Sequence, residues 1–323
     1  MPDKPVLNHP WLVAVWPGMG NVAVSAGYYL MAKLEMHQLA EFSARELFDL
    51  DHIEVKGGLI RSGRLPRSCF YVWNDPRQNH DLILFIGEAQ PPSGKYAFCR
   101  QLIDFARELG VEKMFTFAAM ATGMRPGHES RVFGAAVDKE TLNELRHLEL
   151  EILEDGRIGG LNGVLLGLAA ELHIPGACLL GEIPHLFSQL PFPKASLAVL
   201  GVFCAMARID LDLTELAVEA ESMDKQLGGL LSRIETAIEQ QNRESEDATR
   251  PSWETPPEAP PEALAGKSKR DRLSAKDRKK IELLFEQAES DRSKAYELKA
   301  ELDRLRVFQE FEDRFLGLFQ KPG

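Results

Sequence analysis

Four short stretches carry the side chains best suited to chemistry: Gly18–Asn21, Gly87–Lys95, Ala121–Glu129 and Gly181–His185. Together they hold Asn21, Glu88, Gln90, Lys95, Arg125, His128, Glu182 and His185. Carboxylate, amide, imidazole and guanidinium brought to one place suit a small-molecule site. Glu88 or Glu182 would serve as a general acid or base if burial raised its pKa. A solvated or helix-capping carboxylate is the commoner fate of such a residue. Gly18, Gly20 and Asn21 leave backbone N–H groups unobstructed at a helix start, which suits a phosphate or carboxylate. The string G-M-G-N-V-A approximates the dinucleotide fingerprint, and Glu41 follows about 20 residues on, where a ribose-binding acid would sit. A glycine turn that only packs helix on sheet fits the same string. The candidate ligand residues are therefore Gly18, Gly20, Asn21, Glu88, Gln90, Glu182 and His185. No catalytic residue is assigned, because neither a G-x-S-x-G elbow nor a phosphate-binding G-x-x-x-x-G-K-[ST] loop occurs. His128 and His185 lack metal-ligand spacing, so neither a metal nor a cofactor is expected.

These stretches need a scaffold. Trp11–Trp16, Asp81–Ile86, Lys113–Met120 and Ile174–Gly181 are short apolar runs, the pattern of strands covered on both faces. Helices are predicted over Val22–Leu34, Ser93 or Gly94–Leu109, Lys139–His147, Val164–Leu172, Lys194–Ala207 and Leu213–Gln240. Asp138 reads as the N-cap of the third, and Gly110 as the stop of the second. Met36–Ser43 and Val132–Val137 read as further strands. Gly57–Arg61 and Cys69–Asn74 are predicted to pair as a hairpin about Arg64–Arg67, with Arg61, Arg64 and Arg67 on a solvated edge. Strands alternating with helices mean an α/β domain with a largely parallel sheet, placed at residues 1–240. In such a sheet, ligands bind beyond the carboxyl ends of the strands, where the four stretches fall.

Composition narrows the partners. The chain has 323 residues, 44% hydrophobic and 27% charged, enough for a core without staples. A formal net charge of −11 argues against nucleic acid or anionic membrane as a partner. The four cysteines are far apart and read as core residues in a reducing compartment. With no visible signal peptide and no membrane-length apolar run, a cytoplasmic protein is expected.

Residues 241–269 are rich in Pro, Glu, Ser and Ala, and are expected to be a flexible linker. Residues 270–323 form a helical extension. Ser274 resembles an N-cap, and Ile281, Leu284, Ala288, Ala295, Leu298, Leu302 and Leu305 keep helical spacing broken by Asp291. Phe308, Phe311, Phe315 and Leu318 continue the stripe. Such a face folds back on its own domain, pairs with another copy as a coiled coil, or docks in a groove elsewhere. A hairpin turning near Ser290–Asp291 satisfies the same pattern.

Four segments in order, G-M-G-N-V-A, D-L-I-L-F-I-G-E-A-Q-P, G-L-N-G-V-L-L-G-L-A-A-E and C-L-L-G-E-I-P-H, resemble the proteasome assembly chaperone 2 family over about residues 10–235. The resemblance implies a three-layer α/β/α domain with a mixed, phosphorylase-like sheet. It also implies homo-oligomers and protein partners such as proteasome α-type subunits. Gly18, Gly20, Asn21, Gly87, Glu88, Gln90, Pro91, Gly160, Asn162, Gly163, Pro184 and His185 match the family pattern, and none carries a catalytic role by that route. A non-enzymatic, self-associating assembly chaperone is the reading that follows. The alternative is a nucleotide- or small-molecule-binding enzyme, ligase-like or phosphorylase-like, using Gly18–Asn21 and Glu88. Relatives that touch a proteasome use a hydrophobic-Tyr-any-residue terminus; this chain instead reads Phe319-Gln320-Lys321-Pro322-Gly323.

Overall fold

The computed structural model describes residues 5–49, 53–61, 64–148, 150–247 and 273–320. In chain order the elements begin with β1 (Trp11–Val15), α1 (Val22–Lys33) and β2 (His37–Glu41). Then come β3 (Glu54–Lys56), β4 (Leu59–Arg61), β5 (Ser68–Trp73) and β6 (Leu82–Gly87). α2 (Lys95–Glu108), β7 (Lys113–Thr122), β8 (Val132–Ala136), α3 (Lys139–His147) and β9 (Glu151–Ile152) follow. The domain closes with α4 (Gly160–Glu171), β10 (Gly176–Pro184), α5 (Pro193–Ala207) and α6 (Thr214–Asp247). Beyond it lie α7 (Ala275–Ser290), α8 (Ala295–Arg304) and α9 (Phe308–Gly317).

Eight strands form one mixed sheet in the order β2-β5-β6-β1-β7-β10-β8-β9. Its centre, β6-β1-β7-β10, is parallel. β5 and β2 are added antiparallel at one side, and β8 at the other, with β9 parallel to it. Side chains alternate between the faces with period two. Val13 and Val15 of β1 point to one core, Leu12 and Ala14 to the other, and all are fully buried. α2 and α4 cover the second face. α1, α3, α5, α6 and the tail helices cover the first. The architecture is the expected three-layer α/β/α with a largely parallel mixed sheet and a C-terminal helical extension.

Three local readings are corrected. Leu59–Arg61 pairs with Glu54–Lys56, not with β5. Gly57 and Gly58, at φ +64° and +81°, make the two-residue turn that two successive left-handed residues allow. β5 is instead an interior strand between β2 and β6, as its fully covered run demands. α6 continues past the predicted end at Gln240 to Asp247, since Gln, Asn, Arg and Glu there are adequate helix residues. The remainder of the expected linker, residues 248–269, lies outside the described residues.

The tail is a helical hairpin turning at Ser290–Asp291, where Asp291 breaks the helix and accepts a bond from the Ser293 N–H. Its stripe is spent within the chain. Ile281, Leu284, Ala288, Ala295, Leu298, Leu302, Phe315 and Phe319 join the core on the α1 side. Tyr29 meets Tyr296 edge-on at 4.6 Å, and Tyr28 meets Phe308 and Phe315 at 5.6 and 5.8 Å. The Lys299 ammonium stands 3.9 Å from the Phe308 ring centre. At the end, the Phe319 carbonyl accepts the Gln38 N–H of β2 at 2.7 Å. This is the fold-back arrangement, so the described apolar stripe is not left exposed for a coiled coil.

Candidate functional site

All four stretches sit at the carboxyl edge of the parallel strands. The first leaves β1 through a short 3₁₀ turn, Met19–Asn21. Gly20 and Asn21 take consecutive left-handed conformations, φ +61° and +51°. Glycine adopts that region freely, and asparagine more readily than most other residues. Yet the turn is tied down. The Gly20 N–H donates to the Ser188 carbonyl at 2.8 Å, and its own carbonyl accepts from Phe192 at 2.9 Å. The dinucleotide reading meets a topological obstacle as well. β2 lies at the sheet margin, with β5 and β6 between it and β1, so Glu41 is not beside the glycine turn. A ribose-binding acid needs the neighbouring strand.

Gln90 is the clearest connector. Its Nε2 donates to the Pro17 carbonyl at 3.2 Å, and its Oε1 accepts from the Leu161 N–H at 3.2 Å. It thereby joins the β1 turn, the β6 loop and the first turn of α4. Gly160, at φ +68°, lets that approach happen; a Cβ there would come within 2.8 Å of Gln90 Oε1. The glycine cluster predicted to precede a helix at Val164 is in fact the helix start. Beside this bridge in sequence, the buried Trp16 Nε1 and Asn162 Oδ1 have no hydrogen-bond partner among the described residues. They are the polar atoms of this edge left for a ligand or an ordered water.

Glu88 and Glu182 are committed to cations. Glu88 accepts from the Arg67 N–H at 2.7 Å, from Arg67 Nε at 3.3 Å and from Arg64 Nη1 at 3.1 Å. Arg64 also reaches Glu312 of α9 at 2.7 Å, and Arg67 reaches Asp313 at 2.7 Å. Arg64 and Arg67 are therefore not a solvated edge; they latch the tail to the β6 loop. Burial, then the nearby Glu88, pushes the Glu312 carboxyl above its usual range. Glu182, 2% exposed, receives a two-pronged guanidinium from Arg131 at 2.6 and 2.7 Å, plus the Thr122 hydroxyl at 2.6 Å. Those Arg131 bonds hold its pKa down at about 2. A carboxylate so held stays ionised and is no proton donor at neutral pH.

His185 is exposed, with Nδ1 3.0 Å from the Thr122 carbonyl. The loop 121–129 is tethered to α6: Gly127 N–H meets Asp224, and Lys194 joins Asp224 at 2.9 Å and the His128 carbonyl at 2.8 Å. Arg125 pairs with Glu235 of α6. Lys95 turns back to the Pro92 carbonyl. No group of three metal-ligating side chains occurs among the described residues. Likewise no described helix is long and apolar enough to cross a membrane. The sequence reading missed Arg131, whose partner lies 51 positions away with no local signal. The arrangement brings the candidate residues to one edge and spends the polar atoms of Glu88, Gln90 and Glu182 on arginines, Thr122 and backbone groups around them.

The chain and its fold have counterparts. The model of the PAC2 family matches residues 12–231. An uncharacterized protein of Methanocaldococcus jannaschii is 29% identical over 231 residues, 69% of this chain and 83% of that protein. The fold resembles Pyrococcus furiosus PbaB, an archaeal proteasome activator, with a TM-score of 0.60 and 24% identity over 72% of this chain and 96% of that one. It also resembles a proteasome-assembly chaperone homologue of Mycobacterium tuberculosis, with a TM-score of 0.58 and 22% identity over 67% and 93%.

Proposed function

The chain belongs to the PAC2 family, and on that footing we propose that it is a non-enzymatic assembly chaperone that self-associates and binds other protein subunits. The observation that carries this reading is the self-satisfied carboxyl edge. Glu182 is locked to Arg131 and Thr122, Glu88 to Arg64 and Arg67, and Gln90 to two backbone segments. Groups held this way set the shape of a surface and are poor proton shuttles. Gly18, Gly20, Asn21, Gln90 and His185 then act as the frame of an interaction platform. Two proteins of similar fold, a proteasome activator and a proteasome-assembly chaperone homologue, suggest proteasome-type subunits as partners. The test is co-expression of the full chain with α-type proteasome subunits from its own source, followed by affinity capture and native mass spectrometry. A stoichiometric complex is expected, unchanged by ATP. Failure to capture those subunits would overturn the assignment of partner.

A further inference from the structure

Three exposed apolar side chains share one place on the carboxyl edge: Met19 at 44% exposure, Leu186 at 52% and Leu190 at 38%. Met19 opens the turn after β1, Leu186 lies in the 3₁₀ turn His185–Phe187 that leaves β10, and Leu190 follows that turn. Only β7 separates β1 from β10 in the sheet, and their exits are bonded to each other. The Gly20 N–H donates to the Ser188 carbonyl at 2.8 Å, and the Phe192 N–H donates to the Gly20 carbonyl at 2.9 Å. The two segments also pack closely: a Cβ on Gly20 would stand 3.4 Å from the Phe192 Cβ and 3.5 Å from Ile183 Cδ1. Met19 adjoins one end of the first bond, and Leu186 and Leu190 each lie two residues from its other end. With consecutive Cα atoms about 3.8 Å apart, the three belong to one patch.

The two segments bring no acid, lysine or arginine. From Trp11 to Ala32 and from Ile183 to Pro193 the sequence has no Asp, Glu, Lys or Arg, in a chain whose charged share is 27%. Glu182 and Lys194, which bound the second segment, are paired with Arg131 and Asp224. Exposed apolar side chains on segments free of acids and bases have the composition of the centre of a protein–protein contact. The patch is also held in shape before anything binds. Its backbone is tied by the two bonds above, and exposed Pro17 and Pro191 fix their own φ, so little ordering entropy is lost on docking.

We propose that this patch is the contact through which one copy of the chain meets the same patch on another. The inference rests on the self-association proposed above and names the surface that performs it. An apolar patch without acids or bases matches itself, because contact between two such surfaces asks for no opposite charge. Each copy has a formal net charge of −11, so two copies repel wherever their acidic surfaces meet, and least where charge is absent. A different protein is steered and selected by charge complementarity, which this patch does not offer. Another group of exposed apolar residues, Val55, Leu59 and Ile60 on the β3–β4 hairpin, is interrupted in sequence by Glu54, Lys56 and Arg61 and lacks that match.

The test is light scattering on the full chain over a range of concentrations. It compares the parent with Leu186→Glu/Leu190→Glu, with Met19→Glu in the other segment, and with the hairpin control Leu59→Glu/Ile60→Glu. All these positions are exposed, so each variant is expected to keep the parent's circular dichroism and thermal unfolding. Parent and hairpin control are expected to share one oligomeric mass, a multiple of 36.1 kDa. Both patch variants set like charges against each other across the contact, and each should raise the dissociation constant about tenfold or more. Folded patch variants with the parent's oligomeric mass and dissociation constant would overturn this proposal and leave self-association standing. A parent that stays a 36.1 kDa monomer at every concentration would overturn both. Patch variants that remain oligomeric but no longer capture α-type proteasome subunits would give the patch to that partner, and overturn its assignment to a second copy.

Discussion

Arg131 and Glu182 show how much one pair can decide. Replacing Arg131 by Met removes the guanidinium that holds the buried Glu182 carboxylate, and should lower stability in denaturant unfolding. The double variant Arg131→Met/Glu182→Met should recover much of that loss; equal destabilisation of both would contradict the assignment. The pair also fixes a pH window. Glu182 has a folded pKa of about 2 against an ordinary value of 4.5. Its stabilisation is therefore complete above about 4.5 and is lost as pH falls towards 2. Acid titration of Glu182→Gln should show a shallower fall in stability across that window than the parent does. Gly20 gives a second residue-scale prediction. At φ +61°, Gly20→Val should destabilise by about 1–3 kcal/mol and Gly20→Asn by clearly less, measured by thermal unfolding. The glycine–asparagine turn was legible as a turn because only those residue types fit it readily. Its role was not legible, because the bonds to Ser188 and Phe192 arrive from residues distant in sequence. The same holds for Glu88, whose cations lie in a loop read as a hairpin edge.

Among elements, the parallel strands were the most readable. Runs such as Leu82–Gly87 are buried on both faces and so lack alternation, a pattern that bounding glycines and prolines separate from helix. Pairing was less readable. Periodicity assigns faces but not neighbours, so β5 was given the wrong partner and the marginal place of β2 was not legible. The tail stripe was legible as a face needing cover, while its cover was not. Tyr28 and Tyr29 of α1, which supply it, read from sequence as ordinary helix residues. Phe315 is fully buried against Tyr28, Phe308 and Phe319. Phe315→Ala should cost about 3–5 kcal/mol. Asp313→Ala, removing a pair with a largely exposed carboxylate, should cost no more than about 1 kcal/mol. Chemical denaturation separates the two; similar effects would mean the ionic latch, not the aromatic cluster, holds the tail.

For the molecule as a whole, the family match ends at residue 231, and α7–α9 lie beyond it on the α1 side of the sheet. Because those helices are docked within the chain, the self-association proposed above would fall to the α/β body rather than to a tail coiled coil. Composition and charge gave the broad class, but the division of labour between body and tail depends on contacts spanning most of the chain. The most direct measurement is light scattering on the eluted full-length protein, alone and mixed with α-type proteasome subunits, beside a variant lacking residues 274–323. The account predicts a mass that is a multiple of 36.1 kDa, a heavier complex with the subunits, and a truncated variant that keeps its oligomeric number. A 36.1 kDa monomer that leaves the subunits unbound would contradict it.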